Sequence, residues 1–108
     1  MEKLKDVTVA YLGIKNSNGF ELPEDTQILN AGETVPVTIG YTKDKIGVAN
    51  NFRKTGNKII ANVEVDHTEK DSVFRPCFEY HDDKPEEIRI LTVGMLPKSR
   101  DSWKDLAE

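Results

Sequence analysis

Lys45-Ile46-Gly47-Val48-Ala49-Asn50-Asn51-Phe52, then Arg53-Lys54-Thr55-Gly56-Asn57, then Lys58-Ile59-Ile60-Ala61-Asn62-Val63-Glu64-Val65: this stretch decides the fold. It reads as two strands closed by a turn, with Gly56 supplying the positive φ that a tight hairpin requires. Ile46, Val48 and Phe52 are expected to share one face of the first arm. Ile59, Ala61, Val63 and Val65 are expected to share one face of the second. Asn50 interrupts the first apolar row, and Asn62 faces away from the second. Such a pattern belongs to a half-buried antiparallel pair.

Upstream, Val7, Val9 and Tyr11 alternate with Thr8 and Ala10, which predicts a strand over residues 5–13. Asn16-Ser17-Asn18-Gly19 is a turn, residues 20–25 read as loop, and residues 26–30 fit a short strand. Ala31-Gly32-Glu33 turns the chain into a second alternating run, residues 35–41. There Pro36 argues for an edge, or for the start of a strand, because proline has no N–H to donate to a ladder.

Downstream, residues 66–71 are a polar connection. Residues 73–80 form an aromatic strand with Phe74, Phe78 and Tyr80 on one face and a break or bulge at Pro76. Residues 81–85 are a charged turn. Residues 87–96 carry Ile88 and Ile90 on one face and Leu91, Val93 and Met95 on the other, the pattern of a central strand covered on both sides. After Pro97 the character changes. Ser99 or Asp101 can cap a short helix carrying Trp103, Leu106 and Ala107, so residues 99–108 are expected as helix or tail. The expectation is one all-β domain over residues 1–108, mainly antiparallel, built as a small sandwich or partly open barrel with a short C-terminal helix.

The composition narrows the function classes. The chain has 108 residues, 31% of them charged, with a net charge of -4. That balance argues against general nucleic-acid binding, which needs a basic face. No apolar run approaches the roughly 18 residues of a membrane helix. Met1-Glu2-Lys3-Leu4-Lys5-Asp6 lacks the apolar core of a signal peptide. The expected setting is a cytoplasm, or an assembly built there. A single cysteine excludes an internal disulfide, and Cys77, between Pro76 and Phe78, reads as a buried structural thiol.

Four sets of residues are weighed for chemistry. Asp66-His67 and His81-Asp82-Asp83 flank the aromatic strand, too far apart for one metal site, and no ligand spacing supports them. Ser72, Ser99 and Ser102 lack a nucleophile elbow, although His67 or His81 is available as a base for Ser72. Phe74, Phe78 and Tyr80 can stack bases, but Glu79, Asp82 and Asp83 would repel phosphate, so they read as core. Trp103, among Lys98, Arg100 and Lys104, is either a docking peg for a partner or a side chain packed on its own sheet; the second reading is favoured. No catalytic, cofactor or metal residue is assigned.

The run Val35-Pro36-Val37-Thr38-Ile39-Gly40-Tyr41, followed by Asp44-Lys45-Ile46-Gly47-Val48-Ala49 and by residues 56–65, resembles the β portion of tailed-phage prohead maturation proteases. Residues 87–97 resemble the family's last strand and its exit. The resemblance spans residues 35–97 and implies a small β scaffold encoded by a phage or prophage. The position of the family's histidine falls near Tyr41, which cannot serve as the general base. The position of its serine falls near Ser72, where the expected small residue is absent and Phe74-Arg75-Pro76 follows. Residues 66–71 are too few for the family's intervening helix. Protease activity is therefore not carried over. The favoured reading is a non-enzymatic structural or assembly protein of a phage-like particle, with phage structural proteins or its own copies as partners. The alternatives are a reduced serine hydrolase using Ser72 with His67 or His81, and a small ligand- or metal-binding β module.

Overall fold

The computed structural model describes residues 1–103. Among them are strands β1 (Glu2–Tyr11), β2 (Gln27–Ile28), β3 (Val35–Ile39), β4 (Lys45–Thr55), β5 (Lys58–Val65), β6 (Ser72–His81) and β7 (Lys84–Pro97), then a single 3-10 turn, Lys98–Arg100. The fold is all-β. Of the expected C-terminal helix or tail over residues 99–108, the described part makes that one turn and then runs extended at Asp101. The helix positions Leu106 and Ala107 lie outside the described residues.

β4 and β5 form the expected hairpin, from the pair Gly47 and Val65 to the pair Thr55 and Lys58, with Gly56 at φ 57° in the turn. The apolar row on β5 is as read: Ile59, Ala61, Val63 and Val65 are all buried. The row on β4 is different. Ile46, Ala49 and Phe52 are buried in the core, whereas Val48 is only half-buried, paired with Glu64. The cause is a pair of bulges. Against β3 the register shifts between Lys45 and Gly47, which brings Ile46 to the face of Ala49. The β4–β5 ladder breaks between Asn50 and Arg53, where Asn51 adopts φ 56°. One extra residue there reverses the side-chain phase and returns Phe52 to the face of Ala49. β1 breaks in the same way on the other flank of β5. Asp6, at φ 57°, sits in the gap between Leu4 and Val7. Asn and Asp tolerate the left-handed region better than other side chains. The bulges at Asn51 and Asp6 are tied together across β5: Arg53 forms an ion pair with Asp6 and donates Nη1 to the Asn51 carbonyl at 2.7 Å. Being exposed, that ion pair contributes about 0.2–1 kcal/mol.

The sheet is mixed. The hydrogen-bonded order is β1-β5-β4-β3-β7-β2, and β6 pairs with the other edge of β7. Four pairings are antiparallel, but β2–β7 and β3–β7 are parallel. β3 is therefore an interior strand and not an edge. Pro36 is accommodated because the β3–β7 ladder begins only at Val37.

β7 organises the sheet, although not as a strand covered on both sides. Cys77 pairs with Thr92 and Phe78 with Ile90, which leaves Leu91 as an unpaired bulge residue. The bulge switches phase, so Ile88, Ile90, Val93 and Met95 all enter one core while Leu91 is 42% exposed. Between the short β2 ladder and the β3 ladder, the buried Asn30 side chain takes over the pairing. Its Oδ1 accepts the Ile90 N–H at 2.9 Å, and its Nδ2 donates to the Ile90 carbonyl at 2.7 Å. The core also recruits residues from outside the strands, namely Leu12, Leu22 and Trp103. Each fully buried Leu, Ile or Val contributes about 1.5–3 kcal/mol through removal of apolar surface from water.

The sheet is not closed. β1 and β6 are its two long free edges, and no ladder joins them. They approach each other closely enough for Arg75 Nη1 on β6 to donate to the Thr8 carbonyl on β1 at 3.1 Å.

Candidate functional site

The most elaborate polar arrangement is built around Arg75. β6 places it opposite Gly94. Its Nε and Nη2 donate to Asp101 Oδ1 and Oδ2 at 2.9 and 2.8 Å, a two-point carboxylate contact. Its Nη1 donates to the carbonyls of Thr8 and Phe74. The guanidinium lies 5.5 Å from the Tyr11 ring centre and 5.8 Å from that of Trp103, within cation–π range. Asp101 Oδ1 also accepts the Trp103 N–H at 3.2 Å. Trp103 Nε1 donates to the Ile14 carbonyl at 3.2 Å, and the Ser17 N–H donates to the Ser102 carbonyl at 2.9 Å.

These contacts strap the segment after β7 onto β1 and β6. Trp103 is buried and packs on its own sheet, as favoured from the sequence. Asp101 is the counter-ion of a buried cation. With four hydrogen bonds made and its charge matched, Arg75 is a structural clamp rather than an anion-binding group. Among the described residues, no buried side-chain nitrogen or oxygen lacks a partner.

Beside the clamp lies a cleft of about 250 Å³ whose lining includes Phe20, Phe78, Tyr41 and Arg100. Phe20, Phe78 and Tyr80 form a cluster, with ring centres 5.8 Å apart for Phe20 and Phe78 and 6.3 Å for each of the other two pairs. Phe74, expected on the same face as Phe78 and Tyr80, is fully in the core. Tyr41 follows the left-handed Gly40 and lies over Gly94, where a Cβ would come within 3.1 Å of its ring. Its phenol is raised from the ordinary value of 10.0, first by burial of the hydroxyl, then by the neighbouring Cys77, with Arg75 opposing.

The sequence-weighed residues are not brought together. Ser72 opens β6, and its hydroxyl donates to the Glu69 carbonyl at 2.6 Å rather than to an imidazole. His67 is exposed and lies 3.4 Å from the Glu69 carboxylate. His81 closes β6, roughly 30 Å from Ser72 along an extended strand. Cys77 is exposed, which corrects the expectation of a buried thiol. The buried residues of that run are Phe74, Arg75 and Pro76, and Cys77 points away from the face that Pro76 and Phe78 share. Among the described residues, no three His, Cys, Asp or Glu side chains are gathered to hold a metal ion, and no helix is long and apolar enough to cross a membrane.

A second and larger cleft, of about 590 Å³, runs between β1 and the start of β6, and Lys3, Lys5 and Lys58 line it. Sequence reading missed Arg75, Asp101, Asn30 and this cleft. The available signal for Arg75 was a lone charge inside the apolar run from Val73 to Phe78; nothing in the local pattern named Asp101 as its partner. No protein-family model, no curated protein and no solved structure matches the chain.

Proposed function

We propose that the chain is a non-enzymatic structural or assembly protein of a phage or prophage particle, acting through contacts with other proteins. The reading is carried by one observation, the aromatic cluster of Phe20, Phe78 and Tyr80 at the surface. Tyr80 is 42% exposed, and it lines a shallow cleft together with Leu29, which is 53% exposed. Large apolar side chains grouped on a surface and rimmed by charges such as Glu79, Lys84 and Arg89 fit a protein contact better than they fit solvent. The phage setting rests on the resemblance of residues 35–97 to the prohead-protease scaffold, and with it come the host cytoplasm or the virion as the place of action. In this reading the open sheet is a partly open barrel whose mouth is the gap between β1 and β6.

Sedimentation velocity over a wide concentration range, alone and with purified phage head, neck and tail proteins, is the test. The wild type is expected to associate with itself or with one of these proteins. Leu29→Ser with Tyr80→Ser is expected to remove that association without unfolding the chain. A strictly monomeric wild type that joins no particle protein, or stoichiometric labelling of Ser72 by a serine-hydrolase probe, would overturn the reading.

A further inference from the structure

We infer that the gap between β1 and β6 is a strand-addition site for a short, extended, acidic peptide segment of a partner protein. Among the described residues both walls are free sheet edges, because there β1 pairs only with β5 and β6 only with β7. A free edge presents a row of main-chain N–H and C=O groups, and an added strand satisfies them at about 4.8 Å spacing. Following the pairings from β1 through β5, β4, β3 and β7 to β6 gives β1 and β6 the same direction. A strand running the other way is antiparallel to either wall, the more stable pairing, and it seats only where the walls stand farther apart than the 8 Å to which they approach elsewhere. Arg75, bonded to the Thr8 carbonyl, marks the inner end of the slot, and its charge is already matched by Asp101.

The charge of the occupant follows from the lining. Among the described residues, Lys3, Lys5 and Lys58 line the slot, no acidic residue does, and these lysines form no ion pair. This basic strip stands on a chain of net charge -4, so it is a local feature and not an overall bias. Lys3 and Lys5 are two apart on a strand and share a face, while Leu4 alternates with them. Val73 and Phe74 supply apolar surface from the other wall. A segment alternating acidic and apolar side chains matches both periods. This site lies away from the aromatic cluster, so it goes beyond the proposed function, and the two readings fail separately.

The test uses the full chain and a fluorescein-labelled peptide, about six residues long, alternating glutamate and valine. Fluorescence anisotropy is expected to show binding that weakens as salt is raised. Lys3→Glu with Lys5→Glu is expected to weaken it about tenfold or more, and Lys58→Glu serves as an independent variant should the first pair unfold. N-methylation of alternate peptide amides is expected to abolish binding, because it removes main-chain donors and leaves every charge in place. Amide shifts on binding are expected on β1 and β6 and not on β2. The variant Leu29→Ser with Tyr80→Ser is expected to bind the peptide as the wild type does. Equal binding of a lysine-for-glutamate peptide, indifference to N-methylation or to charge reversal, or no binding at all would each overturn the inference.

Discussion

Arg75 and Asp101 are joined by two parallel hydrogen bonds of 2.9 and 2.8 Å, with only 5% and 0% of their side chains open to water. The pair fastens the end of the described chain to the centre of the sheet. Breaking one side of such a pair strands an uncompensated charge, at a cost of about 3–5 kcal/mol. Asp101→Ala is therefore expected to lower the unfolding free energy by that amount, read as a lower urea midpoint at unchanged slope. The fluorescence of Trp103, the chain's single tryptophan, is expected to shift to the red before the global circular-dichroism transition. Arg75→Met combined with Asp101→Leu is expected to recover most of the loss. An unchanged midpoint in Asp101→Ala would show that the clamp carries no stability.

Asn30 acts as a one-residue strand, since its amide pairs with both the N–H and the C=O of Ile90. Removing it leaves two buried main-chain groups unpaired. Asn30→Ala is expected to cost about 1–3 kcal/mol and to speed hydrogen exchange at the Ile90 amide. Asn30→Asp is expected to cost more, because the carboxylate has no Nδ2 donor and faces the Ile90 carbonyl. Slow exchange at Ile90 in Asn30→Ala would argue against the clamp.

Two glycines of the central hairpin are expected to respond differently to alanine. At Gly56 nothing lies within 4 Å of a new Cβ, and only the positive φ of 57° opposes it, so the cost is about 1 kcal/mol. At Gly47 a Cβ would sit 2.7 Å from the Val65 Cα and against the Glu64 carbonyl. Neither atom can move without separating β4 from β5, so Gly47→Ala is expected to cost about 3 kcal/mol or more. Paired chemical denaturation curves measure both, and equal midpoints would contradict the close approach.

Tyr41 is expected to ionise above its ordinary value of 10.0, because of partial burial and the neighbouring Cys77. The sign follows from linkage. An unfolded Tyr41 loses its proton first as pH rises, so the folded state loses relative stability from about pH 10 upward and none below it. The ring is 58% exposed, so the effect on stability is small and spectroscopy is the better measurement. The phenolate absorbance of the wild type minus that of Tyr41→Phe is expected to titrate above 10, and Cys77→Ser is expected to bring it closer to 10. A difference curve centred at or below 10 would contradict the placement of the phenol.

Local alternation made much of the architecture legible. The hairpin of β4 and β5, the Gly56 turn, the strands on either side and the all-β class were all visible in residue patterns of short range. The errors fall where one residue breaks the period. The extra residues at Ile46 and Asn51 put Ala49 rather than Val48 on the face of Ile46 and Phe52, and Leu91 merges two apparent faces of β7 into one. A bulge leaves composition unchanged, so an alternation count cannot locate it. Pro36 marked the start of a strand correctly; only its edge reading fails, because β7 pairs with β3 from Val37 onward. The site was less legible than the fold. Arg75 and Asp101 stand 26 positions apart, and Asn30 stands 60 from Ile90, so neither pairing leaves a local trace. The basic slot draws Lys3 and Lys5 to the same place as Lys58, a neighbourhood set by strand order alone.

β7 borders β2, β3 and β6, yet among the described residues it is the last strand. During synthesis the earlier strands leave the ribosome with one side of β3 uncovered and with the core partners of Ile88, Ile90, Val93 and Met95 still missing. The hairpin of β4 and β5 can form early from local contacts. The parallel pairings cannot form until residues 84–97 have been made, and such long-range closures are slow. The nascent protein therefore passes through an interval in which an interior strand behaves as an open edge, the state most prone to pairing with a neighbouring chain.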